Sequence, residues 1–275
     1  MAAIPNKKGI ALIAAIMLIV FTSIVVLSVS VFIFQRLKQN DVESSKIRAI
    51  YLAQAGAHRA IYDYRSGGAV TLGQVTVAAG KTFTLGGSKA DLFLADAASV
   101  MVRQESFEID IKDVTTSEDI IIDRITVSWS PQSVDELLIQ AAIGGSGVWS
   151  SAVGVNSGTE IDISDHTLNT ADFETLELTF EGPVGGGKGK GKPTIDMRDK
   201  DNFTLAFELA ASLANLTKTV IYYKNPDADH RNFAKFSLKS TGEDNVIWRT
   251  LYVDYDVSGA TSFITSWAEI DEKML

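Results

Sequence analysis

Apolar and polar positions along this chain fall into two regimes. From Ile10 to Phe34, 25 residues pass without a charge, and 17 of them are Ile, Leu, Val or Phe. The pattern then turns polar at Gln35-Arg36-Leu37-Lys38-Gln39-Asn40-Asp41. From Ile47 the apolar positions Ile47, Ile50, Ala53, Ala57, Ile61 and Tyr64 recur at steps of three and four, which is one face of a helix. No Gly or Pro interrupts Ile10–Ala55, so a single helix is expected to run to Arg65 and to stop at Ser66-Gly67-Gly68. Such a helix rises roughly 84 Å, of which a bilayer core takes about 30 Å. The remainder stands outside as a stalk.

Beyond Gly68 the period shortens to two. Phe107, Ile109 and Ile111 alternate with acids, and Ile125, Val127 and Trp129 alternate with Arg, Thr and Ser, as in half-buried strands. Further strands are expected at Gln74–Val77, Lys81–Leu85, Leu137–Ile143, Val148–Trp149, Glu160–Ile163, Leu176–Phe180, Phe203–Leu209, Thr219–Tyr223, Phe233–Leu238, Val246–Asp254 and Phe263–Trp267. Ala90–Met101 is also taken as strand. The fold class is therefore α+β: a long N-terminal helix, its first half transmembrane, carrying an all-β, sandwich-like head. Breakers at Ser130-Pro131 and Asn225-Pro226 suggest a β-rich portion over 66–130, a sandwich-like module over 131–224, and C-terminal strands over 225–275 that complete the head.

Composition narrows the chemistry. There is no cysteine, which excludes disulfides, thiolate metal sites and Cys nucleophiles. Residues 1–65 carry eight basic and three acidic side chains, whereas the rest carries 17 basic and 31 acidic. An acidic head argues against nucleic-acid binding through phosphates and fits solubility and mutual repulsion between heads.

The start of the chain adds a motif. Lys7-Lys8-Gly9 followed by Ile10-Ala11-Leu12-Ile13 resembles the leader of type IV prepilins and pseudopilins. Tyr51-Leu52-Ala53-Gln54-Ala55-Gly56-Ala57-His58-Arg59-Ala60 is similar to the segment after the membrane helix in PilX-like minor pilins and in the K-type tip pseudopilins of type II secretion. The likeness is clearest over residues 7–65. It implies a leader over 1–9, removed between Gly9 and Ile10 by a prepilin peptidase, then a transmembrane helix over 10–34 and a helical stalk over 35–65. It also implies a single pass through the inner membrane with a cytoplasmic N-terminus and a periplasmic or extracellular head. Other pilin or pseudopilin subunits would be the partners.

One position departs from the family's pattern. Major pilins carry Glu at the fifth mature residue, where it neutralises a neighbour's N-terminal amine, and here that residue is Ala14. An amine moved into an apolar bundle without a counter-ion is costly, so the resemblance points to a low-copy or tip subunit. Ala11 and Ala15 form a small patch within the membrane segment that ends at Phe34, and Ala53, Gly56, Ala57 and Ala60 form another along the stalk. Either patch could meet a neighbouring helix, and the second could instead meet the chain's own sheet. The alternative to the pilin-like reading is a plain single-pass anchor with a ligand- or polysaccharide-binding β head.

Other motifs are weak. Gly182–Pro193 has phosphate-loop composition, but Gly189 and Pro193 stand where a Mg²⁺-binding hydroxyl should follow the lysine. Asn225, Asp227 and Asp229 alternate as calcium ligands do, yet His230 replaces the required glycine and Phe236 the final acid. Ser164-Asp165-His166 has triad residue types in consecutive positions, which point apart. Neither an enzyme nor a cofactor is expected.

Overall fold

The computed structural model describes residues 7–116, 119–133, 136–170, 172–182, 195–210, 216–224, 235–257 and 263–270. Helix α1 runs from Lys7 to Gly67. It closes at Gly68, whose φ of 74° is the left-handed cap and whose N–H donates to the Tyr64 carbonyl at 2.8 Å. The rest of the described chain is mostly antiparallel sheet.

Strands β1 (Gly73–Ala78) and β2 (Lys81–Gly86) form a hairpin, and a four-residue helix α2 (Lys89–Leu92) follows behind a Ser88–Asp91 capping box. Next come β3 (Phe93–Val102), β4 (Ser106–Asp113), β5 (Ile121–Ser130), β6 (Leu137–Ile143), β7 (Ser146–Val155), β8 (Glu160–Thr167) and β9 (Glu174–Glu181). After them lie β10 (Asn202–Leu209), β11 (Leu216–Tyr223), β12 (Lys235–Asp244), β13 (Ile247–Asp256) and β14 (Phe263–Ile270). They build three sheets, ordered β1-β2-β12-β13-β14, β11-β10-β5-β8 and β3-β4-β9-β6-β7.

The first sheet carries α1 on one face. Its helix-side residues are set by register: Leu85, Ser240 and Leu251 lie in one row, and Phe83 and Gly242 in the next. The second and third sheets meet through aromatic pairs, with ring centroids 4.5 Å apart for Phe107–Phe203, 4.8 Å for Phe93–Phe207 and 5.1 Å for Trp129–Phe180. Alternation explains why these rings converge. On β10, Phe203, Leu205, Phe207 and Leu209 are all buried while the residues between them are half-exposed. A buried ion pair, Lys200 Nζ to Glu136 Oε1 at 2.5 Å, joins the approaches to β10 and β6, one in each of these sheets.

Strand pairing divides the head differently from its Pro and Gly punctuation. The expected portion 66–130 is split, because β3 pairs with β4, β4 also with β9, and β5 with β8 and β10, and none of them with β1 or β2. All of β3–β11 lies between β2 and β12, which pair directly with each other. The insertion thus opens at Phe93, ahead of Pro131. Of the C-terminal strands, β12 pairs with β2, and β13 and β14 follow outward from it. Ala90–Met101 begins as α2 before its strand, since the capping box satisfies two backbone N–H groups there.

Candidate functional site: the N-terminal helix and its sheet

Two lengths of α1 have different surroundings. From Leu12 to Phe34 every residue is exposed, including Ala14, Ala15 and Phe34. This helix is long and apolar enough to cross a membrane. Its few polar side chains are satisfied internally. Thr22 donates to the Leu18 carbonyl at 2.9 Å, Ser23 to Ile19 at 2.7 Å, Ser28 to Ile24 at 2.8 Å and Ser30 to Val26 at 2.8 Å. No hydroxyl on this segment therefore needs water, which is what a hydrocarbon environment demands. At its far end the Arg36 guanidinium lies 5.3 Å from the Phe32 ring centroid, and the Lys38 ammonium 5.8 Å from that of Phe34. The cations fold back over the last apolar turn while their heads stay at the polar boundary.

The second length, from Ala49 to Tyr64, lies on the first sheet. Ala49, Ala53, Ala57 and Ala60 are fully buried, and Gly56 is buried among them. The approach is close enough to involve backbone. A Cβ on Gly242 of β12 would stand 2.0 Å from the Ala49 carbonyl oxygen and 2.4 Å from the Ala53 nitrogen. On the helix side, a Cβ at Gly56 would meet Ser240 Oγ and the Phe83 ring at 2.3 and 2.9 Å. Ser240 Oγ donates to the Ala53 carbonyl at 2.7 Å, a buried bond from strand to helix.

Polar and aromatic contacts hold both ends of this seam. Arg48 reaches the buried Asp244 at 3.4 Å, and Arg65 Nε donates to the Tyr255 hydroxyl at 2.7 Å. The Tyr64 ring packs on Phe236 at 5.1 Å and Tyr255 at 6.2 Å. Burial pushes the Tyr64 hydroxyl up to about 12, with Asp96 and Tyr255 adding to the shift. Lys112 stands over the Tyr64 ring at 5.6 Å and the Phe173 ring at 5.5 Å, linking the end of α1 to the inserted strands.

Of the expected stalk positions, Ala53, Gly56, Ala57 and Ala60 come together against the chain's own sheet. Ile47 departs from the expected face and is 54% exposed. It sits two residues, about 200° around the helix, from the first fully buried residue, Ala49. His58 lies on the flank, edge-on to the Trp267 ring at 6.5 Å. The sheet's half of the seam, Ser240 and Gly242, falls in a stretch that reads as a turn between two strands. Its one signal is an isolated glycine, the mark of close backbone approach when it stands inside a strand.

Lys7, Lys8, Gly9 and Ile10 all lie inside α1, so the Gly9–Ile10 bond is helical. A protease that holds its substrate extended would have to unwind this turn, and glycine lowers that cost by about 1 kcal/mol relative to alanine. Asn225, Asp227 and Asp229 lie outside the described residues, as does nearly all of the glycine-lysine tract, 183–194. Ser164, Asp165 and His166 are successive positions of β8, and His166 Nε2 instead meets Glu174 Oε1 at 3.2 Å. No group of three or more acidic or imidazole side chains is gathered for a metal among the described residues. No protein-family model and no curated protein matches this sequence.

Proposed function

We propose that this chain is a non-enzymatic, membrane-anchored filament subunit, a minor pilin or pseudopilin of a type IV pilus or type II secretion-like system. The observation that carries the reading is the division of α1. One continuous helix has a bare apolar half, and a second half seated by an Ala/Gly stripe on an antiparallel sheet. In this reading Ile10–Phe34 anchors the precursor in the inner membrane with Lys7 and Lys8 on the cytoplasmic side. A prepilin peptidase then cuts after Gly9, and the exposed half packs among the helices of other subunits. Insertion of the apolar segment is favoured by several kcal/mol at ~0.3–0.6 kcal/mol per central Leu, Ile, Val or Phe. Ala14, lacking the carboxylate that would neutralise a neighbour's amine, fits a low-copy or tip position. The second and third sheets would be a sandwich-like module displayed on the helix-backed frame.

Mass spectrometry of the mature N-terminus tests this. A chain beginning at Ile10, produced only when the prepilin peptidase is active, is the expected result. Gly9→Ala should leave the precursor uncut, with slower migration on an immunoblot. An intact Met1 in cells with active peptidase, or a start near Val31, overturns the reading.

A further inference from the structure

On the face of the first sheet opposite α1, a polar cleft of about 230 Å³ opens between β11 and the strands β12 and β13, lined by Lys218, Thr219, Lys235, Ser237 and Asp254. Alternation puts it there. Phe236 and Leu238 point to the helix and are buried, so Lys235 and Ser237 point away from it. Asp254 pairs in register with Ser237 and Ser266. Its Oδ1 accepts from Ser237 at 2.6 Å and its Oδ2 from Ser266 at 2.7 Å. Each carboxylate oxygen keeps a free lone pair.

The two lysines are the unusual feature. Among the described residues, neither the Lys218 nor the Lys235 ammonium has a hydrogen bond or ion pair, although Lys218 is largely enclosed. Burial pushes the Lys218 ammonium below the usual lysine range, and Asp91 and Asp254 pull the other way without touching it. Asp91 itself is engaged by the Tyr252 hydroxyl at 3.2 Å and the Ser88 N–H at 3.2 Å. An enclosed cation is ordinarily paired, so a cleft lined by Lys218 together with the half-exposed Lys235 leaves a place for an anion.

We propose that this cleft binds an acidic sugar residue, with Lys218 and Lys235 holding its carboxylate and Asp254 and Ser237 taking its ring hydroxyls. A simple anion would satisfy the ammoniums but gain nothing from Asp254, which repels it. A neutral sugar would use Asp254 and leave the ammoniums bare. A hydroxyl-rich carboxylate satisfies both halves. The volume falls below the roughly 300–1,000 Å³ of sites that enclose drug-sized ligands, so one ring fits and an extended cofactor does not. The cleft faces away from α1, so neighbours packed on that helix do not cover it.

The test uses the full chain in detergent micelles with galacturonate as probe, followed by saturation-transfer NMR. Saturable binding is expected, about tenfold or more tighter than for glucose or inorganic phosphate, and weakened about tenfold or more by Lys218→Met but not by Lys46→Ala. Reductive methylation of the wild-type protein gives a second readout that needs no variant. The methyl glycoside of galacturonate, which has no free aldehyde to condense with lysine, should slow modification of Lys218 and Lys235 and leave Lys46 unaffected. Absence of saturable binding, equal affinity for phosphate, or unprotected Lys218 and Lys235 overturns the assignment.

Discussion

Replacing Gly242 by Ala probes the seam between α1 and its sheet at the point of closest approach. The new methyl would stand 2.0 Å from the Ala49 carbonyl oxygen, 2.4 Å from the Ala53 nitrogen and 2.8 Å from the Leu52 Cβ. Two of these are backbone atoms of a helix, so no rotamer change relieves them. The helix must retreat by roughly 1–1.5 Å, and a gap of that size forfeits about half or more of each dispersion contact along the seam. Overpacking of this kind costs typically about 1–3 kcal/mol, and the backbone position of the clash places it at the upper end. Alanine recovers up to about 1 kcal/mol of glycine's strand penalty, leaving a net loss of about 2–3 kcal/mol. For a head of about 200 residues that lowers Tm by roughly 4–12 °C. Tryptophan fluorescence during heating reports it directly, because Trp248 lies on β13 and Trp267 on β14 of the same sheet. Gly147→Ala is the control, since a Cβ there has only the Gln140 amide nitrogen near it, at 3.8 Å. If Gly242→Ala melts together with Gly147→Ala and wild type, the close helix–sheet contact is not what holds the frame.

Two further outcomes follow from groups in the head. Glu136→Gln leaves the buried Lys200 without its counter-charge and should cost about 3–5 kcal/mol. The double change Glu136→Leu with Lys200→Met should recover most of it, and equal melting of Glu136→Gln and wild type would refute the pair's role. Tyr64 is protonated in both folded and unfolded chains below pH 10. Because its folded pKa is raised to about 12, its contribution to stability is fully present below pH 10 and is lost as pH climbs from 10 towards 12. Tyr64→Phe should flatten that part of the Tm-versus-pH curve, and an unchanged slope refutes the assignment.

Local pattern predicts most of the elements. The helix is legible because a 25-residue uncharged run followed by a three-four periodicity admits little else, and strands such as β6 and β10 are legible by alternation and apolar content. Which strand joins which sheet is not. Pairing of β4 with β9, or of β2 with β12, depends on faces brought together over long separations, and Pro131 punctuates the chain without dividing its sheets. The seam shows the same limit: Ala53 to Ala60 signal close approach, but only tertiary packing selects Ser240 and Gly242 as what approaches. The cleft is less legible still, since Lys218 and Lys235 belong to different strands and neither sits in a recognisable motif.

The placement of β3–β11 between β2 and β12 also orders events during synthesis. The strand that buries the alanine stripe lies about 150 residues after β2, so closing that pair carries the loop entropy of the whole insertion unless the insertion has already condensed. Until Lys235–Asp244 has left the ribosome, Ala49, Ala53, Ala57 and Ala60 have no β12 to cover them. A nascent chain therefore presents a small-residue helical stripe while its own sheet is incomplete. Docking of β12 ends that exposure.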